Sequence, residues 1–185
     1  MIAEMSIVTE LFRHNRWANA RVFKVCLAAE PSILTVDAGG TVESIDASLR
    51  HLVSVEEGFF AVIAGRAGPA PEGSTPLEVW TAMVTPTGLV DGYMKHELAW
   101  YAERVDYLDA FFTDLVSRID DDGLSREAEV PWLTYPTTVG EALTQVLVHS
   151  GHHRSQVFSA LGERGIQVPD LDYVVMLAKE RGAAR

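Results

Sequence analysis

The chain has 185 residues, 48% of them hydrophobic, which suits one domain with a sizeable core and excludes a disordered chain. Acidic residues outnumber basic ones by 26 to 15, for a formal charge of −11, which excludes the cationic surface that non-specific nucleic-acid binding needs. The single cysteine, Cys26, excludes an intramolecular disulfide. There is no apolar run near the ~20 residues of a membrane span, and no signal-type leader at Met1–Met5, so a cytoplasmic protein without membrane contact is expected.

Apolar residues spaced by three and four predict a first helix over about Glu4–Ala29, with Leu11, Asn15, Ala18, Val22 and Val25 on one stripe and Pro31 closing it. Cys26 lies among Val25, Leu27 and Ala28 and reads as a small core residue. After the Gly39-Gly40 break, Thr41 with Ser44 offers N-cap chemistry for a second helix to about Ala64. Its stripe holds Ile45, Leu49, Leu52, Glu56, Phe59 and Ile63. Residues 65–88 are rich in Gly and Pro and read as a long connection with one short helical turn near Leu77–Met83.

A third helix is expected from about Leu89 to Ile119, along Leu98, Tyr101, Val105, Leu108, Phe111, Phe112 and Leu115. Asp120-Asp121-Asp122 reads as its solvated end. Residues 127–135 read as extended or looped, because Pro131 and Pro136 forbid a helix interior. Thr138, with Glu141 three residues on, forms a capping box for a fourth helix reaching about Glu163. Gly165 and Pro169 end it, and a short fifth helix spans Leu171–Arg181. Four long helices within a single domain, residues 1–185, predict an all-α four-helix bundle, and the long second link allows a crossover. Gly and Pro interrupt every long stretch, which disfavours a coiled coil.

The fourth helix carries the chemistry. Its apolar stripe reads Val139, Ala142, Val146, His149, His153, Val157, Ala160, so two histidines stand where core residues belong. Four residues apart, they share one face. Buried unpaired imidazoles are costly, and a shared metal ion removes that cost; the plainer reading is a hydrogen-bonded polar core. His152 falls between stripe and surface. His51 sits on a less uniform flank with Ala47, Ser48, Val55 and Val62, where a ligand and a structural role are equally compatible. His14 and His96 read as structural or surface residues. Glu56 lies on a buried stripe and needs a partner, either an imidazole N–H or an arginine such as Arg13 or Arg16. Arg154 reads as the partner of a carboxylate, with anchoring of an anionic substrate as the alternative. Asn15, Asn19 and Gln156 could line a pocket or tie helices together, and Trp17, Trp80, Trp100 and Trp132 read as core or pocket walls.

The run His149-Ser150-Gly151-His152-His153-Arg154-Ser155-Gln156 resembles the last-helix signature of the DinB family, also described as YfiT-like metal-dependent enzymes. His14-Asn15-Arg16-Trp17-Ala18-Asn19 is similar to that family's first-helix pattern. Arg50-His51-Leu52-Val53-Ser54-Val55-Glu56 resembles its second-helix ligand segment, and Pro169-Asp170-Leu171-Asp172-Tyr173 its C-terminal motif. The resemblance implies a bundle with an up-down-down-up order, a homodimer, and a divalent metal on His51, His149 and His153. Three imidazoles suit zinc or nickel first and iron or copper next, and leave the metal an open position. The implied activity is that of a metal-dependent enzyme of small molecules, either a transferase or isomerase that uses a thiol cofactor or a hydrolase. The alternatives are a non-catalytic, stress-associated metal or ligand binder, and a structural dimer with an empty histidine cluster. No residue is assigned a catalytic role.

Overall fold

The protein is described by a computed structural model covering residues 6–39, 44–65 and 96–182. In chain order its elements are α1 (Ile7–Ala28), α2 (Pro31–Leu34), α3 (Ile45–Ile63), α4 (Leu98–Val116), α5 (Asp121–Ser125), β1 (Glu127–Ala128), β2 (Thr137–Thr138), α6 (Val139–Glu163) and α7 (Tyr173–Glu180).

Local chemistry sets most of these boundaries. The Ser44 hydroxyl accepts the Ala47 N–H at 3.1 Å and starts α3. Thr138 and Glu141 satisfy each other's backbone N–H groups and start α6. Caps of this kind stabilise a helix by about 1 kcal/mol. Gly165, at φ 73°, takes the left-handed conformation that follows the end of α6. Pro31 closes α1 and also opens the unanticipated α2 from its first position. Asp120, read as a solvated helix end, caps the equally unanticipated α5 by accepting the Gly123 N–H.

Two boundaries and one buried face differ from expectation. The third long helix, expected from Leu89, is interrupted at an extended Glu97 (φ −63°, ψ 153°) and runs from Leu98; residues 89–95 lie outside the described residues. The C-terminal helix begins at Tyr173, not Leu171, behind an extended Asp172. Leu11 is 48% exposed, because the buried face of α1 runs through Phe12, Asn15, Ala18, Asn19 and Val22. The turn expected near Leu77–Met83, Trp80 and the Thr41 cap lie outside the described residues.

Cross-helix contacts fix the directions. Thr9 meets Val116 and Arg16 meets Asp106, so α1 and α4 are antiparallel. Arg50 meets His96, Glu57 meets Arg104 and Phe60 meets Phe111, so α3 and α4 are parallel. His51 meets His149 while Phe59 and Ala142 border the same cleft, so α3 and α6 are antiparallel. The order of the four long helices is therefore up-down-down-up, and the length of chain between α3 and α4 is what lets these two run the same way. The core is built from Phe12, Val22, Leu49, Leu52, Leu108, Phe112, Val146 and Leu161, all fully buried. Burial of each such side chain contributes about 1.5–3 kcal/mol. Cys26 is buried within the same core, and burial pushes its thiol up to about 12.

Two smaller features border the bundle. Glu127 pairs with Thr138 and Ala128 with Thr137 in an antiparallel ladder, so residues 129–136 form a connecting loop against the bundle. Helix α7 lies on α1: His14 Nε2 meets the Leu171 carbonyl at 2.6 Å, Arg13 pairs with Glu180 at 2.5 Å, and the Tyr173 hydroxyl donates to Glu10. His14 is thus a structural residue. Among the described residues, no helix is long and apolar enough to cross a membrane.

Candidate metal centre

The antiparallel pairing of α3 and α6 brings His51 to His149 and His153. His149 Nε2 lies 3.1 Å from His51 Nε2 and 3.2 Å from His153 Nε2. The three offered nitrogens all fall within 4.8 Å of one another, and no other such histidine, cysteine or carboxylate group occurs among the described residues. His153 is 2% exposed, and the other two are half-buried.

Hydrogen bonding alone satisfies this arrangement poorly. A ring nitrogen has either one proton or one lone pair. His149 Nε2 can therefore complete only one of its two short contacts. A cation can accept three lone pairs at once. Two imidazoles ~2.0–2.1 Å from one ion are ~2.9 Å apart at a right angle and ~3.4 Å apart at the tetrahedral angle. The observed 3.1 and 3.2 Å fall between these limits, so the residues fit a divalent transition metal.

The electrostatics favour lone pairs over protons. Burial, followed by the His153 ring, lowers His51 to about 4. Burial and the neighbouring rings of His153, His51 and His152 lower His149 to about 3. His153 is lowered by burial and His152, against an opposing pull from Gln156. All three rings are neutral at neutral pH, the form that ligates metals. The Nδ1 atoms of His149 and His153 are buried without a hydrogen-bond partner, as is Gln156 Oε1. Gln156 is near enough to His153 to influence its proton, yet the two stop short of hydrogen-bond geometry. His152 is exposed, its ring edge-on to that of His153. His96 is half-buried and stacks on Trp100, with ring centroids 4.2 Å apart.

Behind the histidines lies a buried polar network that ties three further positions to the site's helices. Asn15 and Asn19 donate to the two oxygens of Asp109, both at 2.8 Å. Their own oxygens each accept from Arg154 Nη1 at 2.6 Å. Asn19 also donates to Glu56 Oε1 at 3.2 Å, and Ser150 donates to the same oxygen at 2.5 Å. Glu56 therefore bonds neither an imidazole nor Arg13 or Arg16: Arg13 pairs with Glu10 and Glu180, and Arg16 with Asp106. Arg154 has a structural role, although its direct partners are amide oxygens and the carboxylates act on it from a greater distance.

Burial, then the Asp109 charge, raises Glu56 well above the ordinary carboxylate range. Burial also raises Asp109 to about 6, against the hydrogen bonds from Asn19 and Asn15. The geometry points to a neutral Glu56 and an Arg154–Asp109 charge pair bridged by two amides. Asp109 and Ser150 were not singled out from the sequence for this role. Their signal was a polar residue embedded in a buried helix face: Asp109 stands between Val105 and Phe112, and Ser150 between Val146 and Val157.

An all-α bundle of up-down-down-up order, with three histidines converging between two of its helices, defines the class. The chain belongs to the DinB family, whose profile matches residues 4–183. It is also similar in structure to YfiT from Bacillus subtilis, described as a probable metal-dependent hydrolase with an unusual four-helix bundle topology. That similarity has a TM-score of 0.65 at 13% identity and covers 90% of this chain and 94% of YfiT. None of the curated proteins matches the chain.

Proposed function

We propose that His51, His149 and His153 hold one divalent transition metal and that the protein is a metal-dependent enzyme acting on a small molecule. The observation that carries this reading is the double short contact at His149 Nε2, which one proton or one lone pair cannot satisfy. Three neutral imidazoles favour zinc or nickel, then iron or copper. A bound metal of this kind supplies an open position at which a carbonyl is polarised or water is acidified. The protein's own part is to keep the imidazoles neutral through burial and to hold α6 in rotation through Ser150 and Arg154. Hydrolysis is the favoured reaction, in keeping with the description of YfiT. Thiol transfer and non-catalytic binding share the metal and differ in turnover.

The test is elemental analysis of protein purified without added metal, alongside His51→Ala, His149→Ala and His153→Ala. About one equivalent in the parent and loss in all three variants is expected. Full metal content in any one variant removes that residue from the ligand set. Turnover that survives His149→Ala removes the metal from the reaction.

A homodimer is part of the same proposal. Ile7, Leu11 and Val148 are 79%, 48% and 64% exposed on the face shared by α1 and α6. Leu11 and Val148 border an apolar groove of about 580 Å³, together with Phe12 and Leu147. A second copy covering this face would remove that apolar surface from water.

A further inference from the structure

A cleft of about 470 Å³ opens between α3, α6 and the loop joining β1 to β2. His51 and His149 stand in its wall, whereas His153 does not border it and is buried. An ion held by the three rings is therefore approached from the cleft side. The rest of the wall is mostly apolar: Val55 and Phe59 from α3, Ala142 from α6, and Trp132, Leu133 and Tyr135 from the loop. The Phe59 and Trp132 rings meet edge to face, with centroids 5.4 Å apart, and form a fixed corner. Glu141 also borders the cleft, with one carboxylate oxygen held by the Thr138 N–H at 2.8 Å. Its fixed negative charge disfavours an anionic body at that position.

We infer that the substrate is a small molecule with an uncharged aryl or bulky aliphatic body and one metal-ligating head group, and that Trp132 determines this specificity. The inference rests on the metal reading above. The volume accommodates a ligand of one or two rings and falls within the ~300–1,000 Å³ that small-molecule sites typically span. Trp132 is half-buried and sits on the loop, away from the ligand helices, so it shapes the cleft without holding the ion. Placing the specificity wall on a loop and the ligands on helices lets the body preference change without disturbing the ligands.

The test uses cobalt(II)-loaded protein and two probes with the same head group, acetohydroxamate and benzohydroxamate. Binding is followed by the cobalt d–d absorption and by tryptophan fluorescence. Benzohydroxamate is expected to bind about ten-fold more tightly than acetohydroxamate. Trp132→Ala should erase that preference while leaving acetohydroxamate affinity within about three-fold, and Trp132→Phe should restore part of it. Equal affinities in the parent, or a preference undiminished in Trp132→Ala, overturns the inference and leaves the metal reading standing. Protein that takes up no cobalt overturns both, and the absorption spectrum reports that outcome before any probe is added.

Discussion

Replacing Glu56 by Gln and, separately, Arg154 by Leu tests the protonation of the buried network. Glu56 is fully buried, and the nearest cation donates to Asn15 and Asn19 instead of to it. If Glu56 carries a proton, Gln is nearly isosteric: its oxygen still accepts from Ser150 and Asn19, and its amide replaces an oxygen that has no partner. Stability should then stay within ~1 kcal/mol of the parent at neutral pH. Arg154→Leu leaves two buried amide oxygens without their 2.6 Å donor and Asp109 without its cation. A loss of about 3–5 kcal/mol is expected, which lowers Tm by roughly 6–20 °C in a chain of this size.

The pH dependence follows from the raised Glu56 value. Above its ordinary value of 4.5, the unfolded chain releases the proton that the folded chain keeps. The folded state then binds more protons, so stability from this group is present below pH 4.5 and is lost as pH rises toward the folded pKa. Urea unfolding of the metal-free proteins at pH 5 and pH 8 should show Glu56→Gln gaining on the parent by up to ~1.4 kcal/mol per pH unit within that window. A Glu56→Gln loss as large as that of Arg154→Leu, or a difference that moves toward the parent with rising pH, would refute a neutral Glu56.

Four further outcomes are expected. Because burial holds His51 near 4 and His149 near 3 and also lowers His153, apparent zinc affinity should fall by less than about ten-fold in all between pH 7.5 and 5.5, and competition titrations losing ten-fold per unit there would contradict the lowered values. In the metal-free protein the same rings contribute stability above the unfolded value near 6.5, and it is lost as pH falls toward 4 and 3. Gln156→Leu removes the polar neighbour of His153 and should weaken zinc binding about 10–100-fold by calorimetry, an unchanged affinity showing that Gln156 does not orient that ring. Leu11→Glu with Val148→Glu should convert a dimer to a monomer in light scattering, and an unchanged mass would place the interface elsewhere.

Much of this architecture was legible because it is set locally. The α6 cap depends on two residues three apart, and the inward placement of His153, Val157 and Ala160 follows from helical period alone. The burial of Glu56 was equally plain from its stripe. Its partners were not, because Ser150 and Asn19 reach it from two other helices, and only the packing order decides which helices meet. The start of α4 was missed for a related reason: neither His96 nor Glu97 is a helix breaker, and the extended Glu97 has no local sequence signal. His51 was undecided on its own flank, and its pairing with α6 brought it to the other two rings.

Helix α6 serves two neighbourhoods at once. His149 and His153 face one, while Ser150 and Arg154, each one position later and about 100° around, face the other. Inserting or deleting a single residue between Ser150 and His153 would turn His153 away from His149 and, in the same step, Arg154 away from Ser150. Length variation is therefore forbidden across this turn and a half, whereas the exposed strand-connecting loop at 134–136 can absorb it.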